Sequence, residues 1–152
     1  AKIGEELLRQ TARIDAFCGS VGTSGMLMGV AGRLRAANPD VRVVALEPVS
    51  SAVLAGGQAG PHGVEGIAPG FVPPLFDRKL APEARAIDEG AARAMARRLA
   101  REEGIFAGTS SALNVVGALE LARELGPGQT VVTVAVDTGL KYLAGNLFTE
   151  TT

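Results

Sequence analysis

The chain has 152 residues, 47% of them apolar, 20% charged and 4% aromatic, and its 15 basic and 16 acidic side chains leave a formal charge of −1. That profile is too hydrophobic for disorder and too irregular for collagen or a coiled coil. It offers no basic surface for nucleic acid or anionic lipid, and few aromatics on which bases could stack.

A lone cysteine, Cys18, and a lone histidine, His62, exclude an internal disulfide and a zinc site of ordinary donor set. No apolar run reaches membrane-spanning length, and the N-terminus has no basic-then-apolar export signal. A cytoplasmic globular domain of ordinary size is expected, with neither nucleic acid nor membrane as partner.

In chain order, residues 3–10 read as a short amphipathic helix and Ile14–Cys18 as a buried strand. A loop of small residues follows, then a helix over Ser24–Ala37. Its first half (Met26, Leu27, Met28, Val30) is apolar all round, and Asn38-Pro39 ends it. Val41–Leu46 is a second strand. From Glu47 to Asp77 the chain is loop-rich, broken by Gly56-Gly57, Gly60-Pro61-His62-Gly63 and Pro73-Pro74.

Asp88–Glu103 is a helix with a stripe of Ala92, Met95, Ala96, Leu99 and Ala100. Its Arg93, Arg97 and Arg101 read as a solvated face paired with local acids. A nearly all-apolar helix over Thr109–Leu125 precedes a β-branched strand, Thr130–Val136, and a closing helix, Leu140–Leu147. Strands alternating with helices imply a doubly wound α/β fold with a mostly parallel sheet. Residues 1–152 are taken as a single domain.

In such a sheet the ligand sits beyond the carboxyl ends of the strands. Three small-residue loops share that placement: Gly22–Gly25, Gly108–Ser111 and Asp137–Gly139. Each taken alone reads as helix capping; converging at one sheet edge, they form an anion site of amides and hydroxyls for a phosphate-bearing ligand. A P-loop is excluded, because G-x-x-x-x-G-K-[ST] does not occur. A dinucleotide-binding Rossmann-like domain remains a weaker alternative: Glu47 ends the next strand 25 residues after Gly22, but the glycines at 22, 25 and 29 do not make G-x-G-x-x-G.

Five segments then occur in order: VGTSGMLMGV (21–30), EPVSSAVLAGG (47–57), GPHGVEGIAPGFVP (60–73), EGIFAGTSSA (103–112) and DTGLKYL (137–143). Together they resemble the C-terminal half of the cysteine synthases (O-acetylserine sulfhydrylases), which are fold-type-II pyridoxal-phosphate enzymes. The resemblance covers nearly the whole chain, and the GGxxGPH run leans toward cysteine synthase rather than cystathionine β-synthase. It implies that Gly22, Thr23, Ser24, Gly25 and Met26 cup the phosphate of pyridoxal 5′-phosphate. It further implies that Thr138 meets the pyridine nitrogen, and that Gly66 and Ile67 line the substrate side of the cleft.

Four positions depart from that pattern: Met26 stands for Thr, Ala68 and Ala112 for Gly, and Val136 for Pro. The resemblance also implies a Schiff-base lysine and a substrate-carboxylate loop in an N-terminal half. None of Lys2, Lys79 and Lys141 lies in a matching segment. The chain is therefore expected to correspond to the large-domain part of such an enzyme, without a catalytic residue of its own. It would be inactive in making cysteine from O-acetylserine and sulfide until joined by an N-terminal half. Uncovered strand edges would favour self-association. A non-catalytic scaffold that binds a partner is the other alternative.

Among single residues, Cys18 reads as a buried structural thiol, His62 as a turn residue and Asp137 as a cap.

Overall fold

A computed structural model describes residues 2–149. Helix α1 (Lys2–Gln10) leads into strand β1 (Ala16–Ser20), helix α2 (Gly25–Ala37) and strand β2 (Arg42–Pro48). After a short 3-10 turn, Val49–Ser51, and a long irregular stretch come β3 (Glu83–Ile87), α3 (Glu89–Glu102), α4 (Thr109–Leu125), β4 (Val131–Val132) and a 3-10 turn over Gly139–Tyr142.

The four strands form one sheet in the order β3-β2-β1-β4, and every pairing is parallel. Period-two alternation along β2 dictates two cores. Val43 and Ala45 pack with Phe17, Leu27, Val30 and Leu34 under α2, whereas Val44 and Leu46 pack with Ile87, Leu113 and Leu121 under α3 and α4. Both sheet faces are covered, as expected of a doubly wound fold.

The chain moves outward from β1 through β2 to β3 and then crosses back to β4 on the other side of β1. The order therefore reverses between β1 and β4, where open α/β sheets place their ligands. Among the described residues no helix is long and apolar enough to cross a membrane.

Three elements differ from the sequence reading. Strand β3 was not anticipated, because its sequence EARAI lacks a hydrophobic run. It is an edge strand held partly by side chains, with Glu83 and Arg85 bonded to Arg42 and Glu124. The regular part of β4 stops at Val132 instead of Val136. The closing helix shrinks to the 3-10 turn Gly139–Tyr142, whose three-residue bonding continues as Leu143 N–H to the Leu140 carbonyl and Gly145 N–H to the Tyr142 carbonyl.

Two arginines of the α3 row also have a different role. Arg93 donates to Asn146, and Arg97 donates to the Leu147 carbonyl at 2.9 Å. These two fasten the C-terminal segment so that Leu147 and Phe148 reach the core beside Ala96, Leu99 and Ala112. Local acid pairing on this helix is made by Arg98, which bonds Glu102 at 2.9 Å.

Candidate active site

At the carboxyl end of β1 the chain turns sharply into α2. Gly22 must be glycine, because a Cβ there would lie 2.5 Å from the Gly66 carbonyl oxygen. The Ala68 N–H donates to the Val21 carbonyl at 2.8 Å and ties the 64–68 loop against this turn. Ser24, immediately before α2, has φ of 71°, a left-handed conformation that side chains other than Gly rarely adopt.

The Ser24 side chain is buried, and its Oγ has no hydrogen-bond partner. The first amides of α2 (Gly25, Met26, Leu27) precede the first intrahelical bond, from Met28 N–H to the Ser24 carbonyl. Gly25 N–H makes only a long contact, 3.5 Å, to Thr23 Oγ1. A strained turn, an orphaned hydroxyl and free helix-start amides thus meet at one place.

That place is the wall of a cavity of about 330 Å³ lined by Ser20, Gly22–Leu27, Glu65–Ile67, Ser110, Val136, Asp137 and Lys141. All three small-residue loops contribute to it. Of the residues assigned to the phosphate, Gly22, Thr23, Ser24, Gly25 and Met26 all line it, as do Gly66 and Ile67. Met26 offers its amide, while its thioether methyl packs back toward Gly19, near enough that a Cβ added there would lie 3.0 Å away.

A second, mainly apolar cavity of about 490 Å³ shares Gly22, Thr23, Gly66 and Ile67 and continues to Phe71, Pro73 and Leu75. Gly22, Thr23, Gly66 and Ile67 therefore stand between a mixed compartment and an apolar one.

Thr138 is not among the lining residues. It is exposed, forms an antiparallel bridge with Ala107, and its Oγ1 accepts from Leu140 N–H at 3.3 Å to cap the 3-10 turn. Ser110, in the first turn of α4, is the hydroxyl facing the cavity from that side. The TSS run marks this loop as rich in hydroxyls, but the resemblance assigns the pyridine nitrogen to Thr138 and not to Ser110.

Lys141 and Asp137, not assigned to the site, also line it. Both carboxylate oxygens of Asp137 are engaged: Oδ1 accepts from Ser111 Oγ at 3.2 Å and Oδ2 from Tyr142 OH at 2.7 Å. Burial, reinforced by this bond to Asp137, raises the Tyr142 pKa above the usual phenol range. Asp137 therefore braces the loop rather than capping a helix.

His62 acts as a clasp. Val64 N–H donates to Nδ1 at 3.3 Å, and Nε2 lies 3.1 Å from the Ala68 carbonyl, so the ring is the Nε2–H tautomer. It holds Ala68 at φ 47°, where the resemblance has glycine. Cys18 is fully buried and burial pushes its thiol up to about 11, so it is no nucleophile at neutral pH.

The dinucleotide alternative loses its ribose ligand. The buried Glu47 carboxylate accepts from Leu54 N–H at 2.7 Å and Ala55 N–H at 3.1 Å, and thus organises its own loop.

The donor set of amides, hydroxyls and one ammonium suits a phosphate monoester, and the unpartnered Ser24 hydroxyl is the specific feature it would satisfy. Among the described residues no cluster of His, Cys, Asp and Glu could hold a metal ion.

Comparison with known proteins points the same way. Residues 1–137 match the family model described as pyridoxal-phosphate dependent enzyme. The chain is 46% identical over 136 residues to the O-ureido-L-serine synthase of Streptomyces lavendulae, covering 90% of this chain and 42% of that protein. It is 42% identical over 147 residues to a cysteine synthase of Staphylococcus aureus, covering 95% and 47%. The crystal structure of an O-ureido-L-serine synthase superposes with a TM-score of 0.92 at 43% identity, covering 99% of this chain and 48% of that one.

The chain thus spans less than half the length of these relatives. The lean toward cysteine synthase does not separate it from O-ureido-L-serine synthase, to which identity is slightly higher. By its match over residues 1–137, the chain belongs to the pyridoxal-phosphate dependent enzymes.

Proposed function

We propose that this chain supplies the phosphate-holding wall of a pyridoxal-phosphate site. The complete enzyme would replace the β-substituent of an O-activated L-serine, giving cysteine or O-ureido-L-serine. The observation that carries the reading is the buried Ser24 hydroxyl without a partner, set at the start of α2 among unpaired amides.

The bound cofactor supplies an electron sink for an amino-acid substrate. The amides of Gly25, Met26 and Leu27, with the Thr23 and Ser24 hydroxyls, would bind its phosphate. Ser110, on the facing wall, takes the role that the resemblance gave to Thr138 toward the pyridine nitrogen. Gly66 and Ile67, clasped by His62, present backbone toward the substrate and separate it from the apolar compartment. Lys141 balances the charge that a phosphate brings beside Asp137.

Turnover on this reading needs a complement: the relatives named above are about twice as long, and a Schiff-base lysine would come from that further length. The test is to mix the 152-residue chain with a polypeptide supplying the other half of such an enzyme, pyridoxal phosphate and O-acetylserine. Sulfide or hydroxyurea serves as nucleophile. Cysteine or O-ureido-L-serine forms only in the mixture, and the faster nucleophile identifies the reaction. Product from the chain alone would refute the need for a complement; no product from a stably associated pair would refute β-substitution.

A further inference from the structure

Strands β1 and β4 begin as a regular parallel ladder: Ala16 pairs with Val131, and the Ala16 N–H meets the Thr130 carbonyl at 3.2 Å. Advancing four residues on each strand in that register, the Ser20 N–H would meet the Val134 carbonyl. It does not. Ser20 N–H donates instead to Asn114 Oδ1 at 2.7 Å, and Asn114 Nδ2 donates to the Val134 carbonyl at 2.9 Å.

The Asn114 carboxamide, fully buried on α4, is thus inserted between a donor and an acceptor that would otherwise pair. Two neighbours continue the pattern. Thr133 Oγ1 donates to the Cys18 carbonyl at 2.8 Å, and Val136 N–H donates to Ser111 Oγ at 2.9 Å. Beyond Val132, side chains replace the ladder between the two strands. The cavity opens at that point, with Ser20 on one wall and Val136 on the other.

We propose that Asn114 is a positioning residue: a peptide-like spacer that holds the carboxyl ends of β1 and β4 apart and so sets the width of the ligand cleft. A carboxamide suits the task because it has one acceptor and one donor face, as the peptide group does, and leaves neither backbone group unpaired. Its consequence for cofactor affinity rests on the functional reading above; the spacing itself does not.

A spacer makes a prediction that a merely stabilising residue does not. Inorganic phosphate touches only the α2 wall, whereas pyridoxine 5′-phosphate, which lacks the aldehyde and cannot react with lysines, must fit between both. With Asn114→Ala the strands close. Affinity for pyridoxine phosphate then falls about tenfold while affinity for inorganic phosphate stays within about twofold. A trans-hydrogen-bond NMR coupling also appears between the Ser20 amide and the Val134 carbonyl.

Asn114→Leu keeps the volume but strands both backbone groups. It is the less stable variant, yet it binds pyridoxine phosphate within about threefold of the wild type. Affinity that follows stability rather than side-chain volume, or that falls equally for both ligands, overturns the proposal. So does an Ala variant without the new coupling. If the wild type itself does not bind pyridoxine phosphate, the cofactor reading fails, and the coupling alone decides the spacer. If the Leu variant does not fold, the Ala variant decides through its two affinities and the coupling.

Discussion

The two ends of the sheet are built on opposite principles. At the amino end polar groups pair across elements. Asp15 accepts from Thr130 N–H at 2.7 Å while its own N–H reaches the Thr130 carbonyl at 2.9 Å, and Arg42, Glu83, Arg85 and Glu124 form a charged lattice across β2, β3 and α4. At the carboxyl end, Ser24 and Ala68 hold positive φ, a buried hydroxyl is unpaired, and β1 and β4 are wedged apart. Strain and unmet hydrogen bonds can persist where a ligand repays them; Ser51 Oγ is also unpartnered, but Ser24 combines an orphaned hydroxyl with positive φ in the cavity wall.

Breaking the tight end should have little consequence for binding, and breaking the open end should have much. Gly22→Ala is the most severe change. Its Cβ would displace the Gly66 carbonyl, costing about 3 kcal/mol in urea unfolding and abolishing saturable pyridoxine phosphate binding in a fluorescence titration.

Ser24→Ala separates the two quantities. Removing an unpaired buried hydroxyl raises unfolding stability by about 1 kcal/mol, and removing a phosphate partner weakens the ligand about tenfold. If the variant loses both stability and affinity, Ser24 is only structural.

Arg85→Met tests the amino end. Loss of the bonds to Glu83 and Glu124 lowers stability by about 1 kcal/mol and leaves the ligand titration unchanged, since Arg42 still pairs with Glu83.

The smallest effect is expected from Glu47→Gln. Burial raises the Glu47 pKa above the ordinary carboxylate range, despite the two amides it accepts from. A raised carboxyl pKa favours folding while the group is protonated, and this stability is lost as pH rises through it. Glutamine keeps the acceptor and does not ionise. The variant should match the wild type in acid and gain on it as pH rises through the carboxylate range, a trend read from denaturation midpoints at a series of pH values.

The buried elements were legible because their signals are local. The apolar start of α2, the largely apolar run of α4, the Asp88 cap, whose side chain accepts from Ala91 N–H at 2.7 Å, and the runs of β1 and β2 are patterns within one segment. What escaped depends on contacts between segments. Strand β3 has no apolar run, and the network around its Glu83–Arg85 pair is completed only once Arg42 and Glu124 are beside it. Strand β4 stops at Val132 because of a side chain eighteen residues upstream, Asn114.

The site divides in the same way. The Gly22–Met26 turn is a contiguous motif, and all five of its residues line the cavity. The pyridine-nitrogen contact is assigned to Thr138 because its motif resembles a family loop, yet Thr138 bridges Ala107 and is exposed, whereas Ser110 lines the cavity. Spacing along the chain does not report which of two loop hydroxyls faces inward.

The central claim is that the crevice between β1 and β4 holds the phosphate of a pyridoxal cofactor. The direct test is an NMR titration of the ¹⁵N-labelled chain with pyridoxine 5′-phosphate, competed with inorganic phosphate. The account predicts saturable shifts concentrated in the amides of Ser24–Leu27 and reversed by phosphate. Shifts that never saturate, or that centre away from the start of α2, would contradict it.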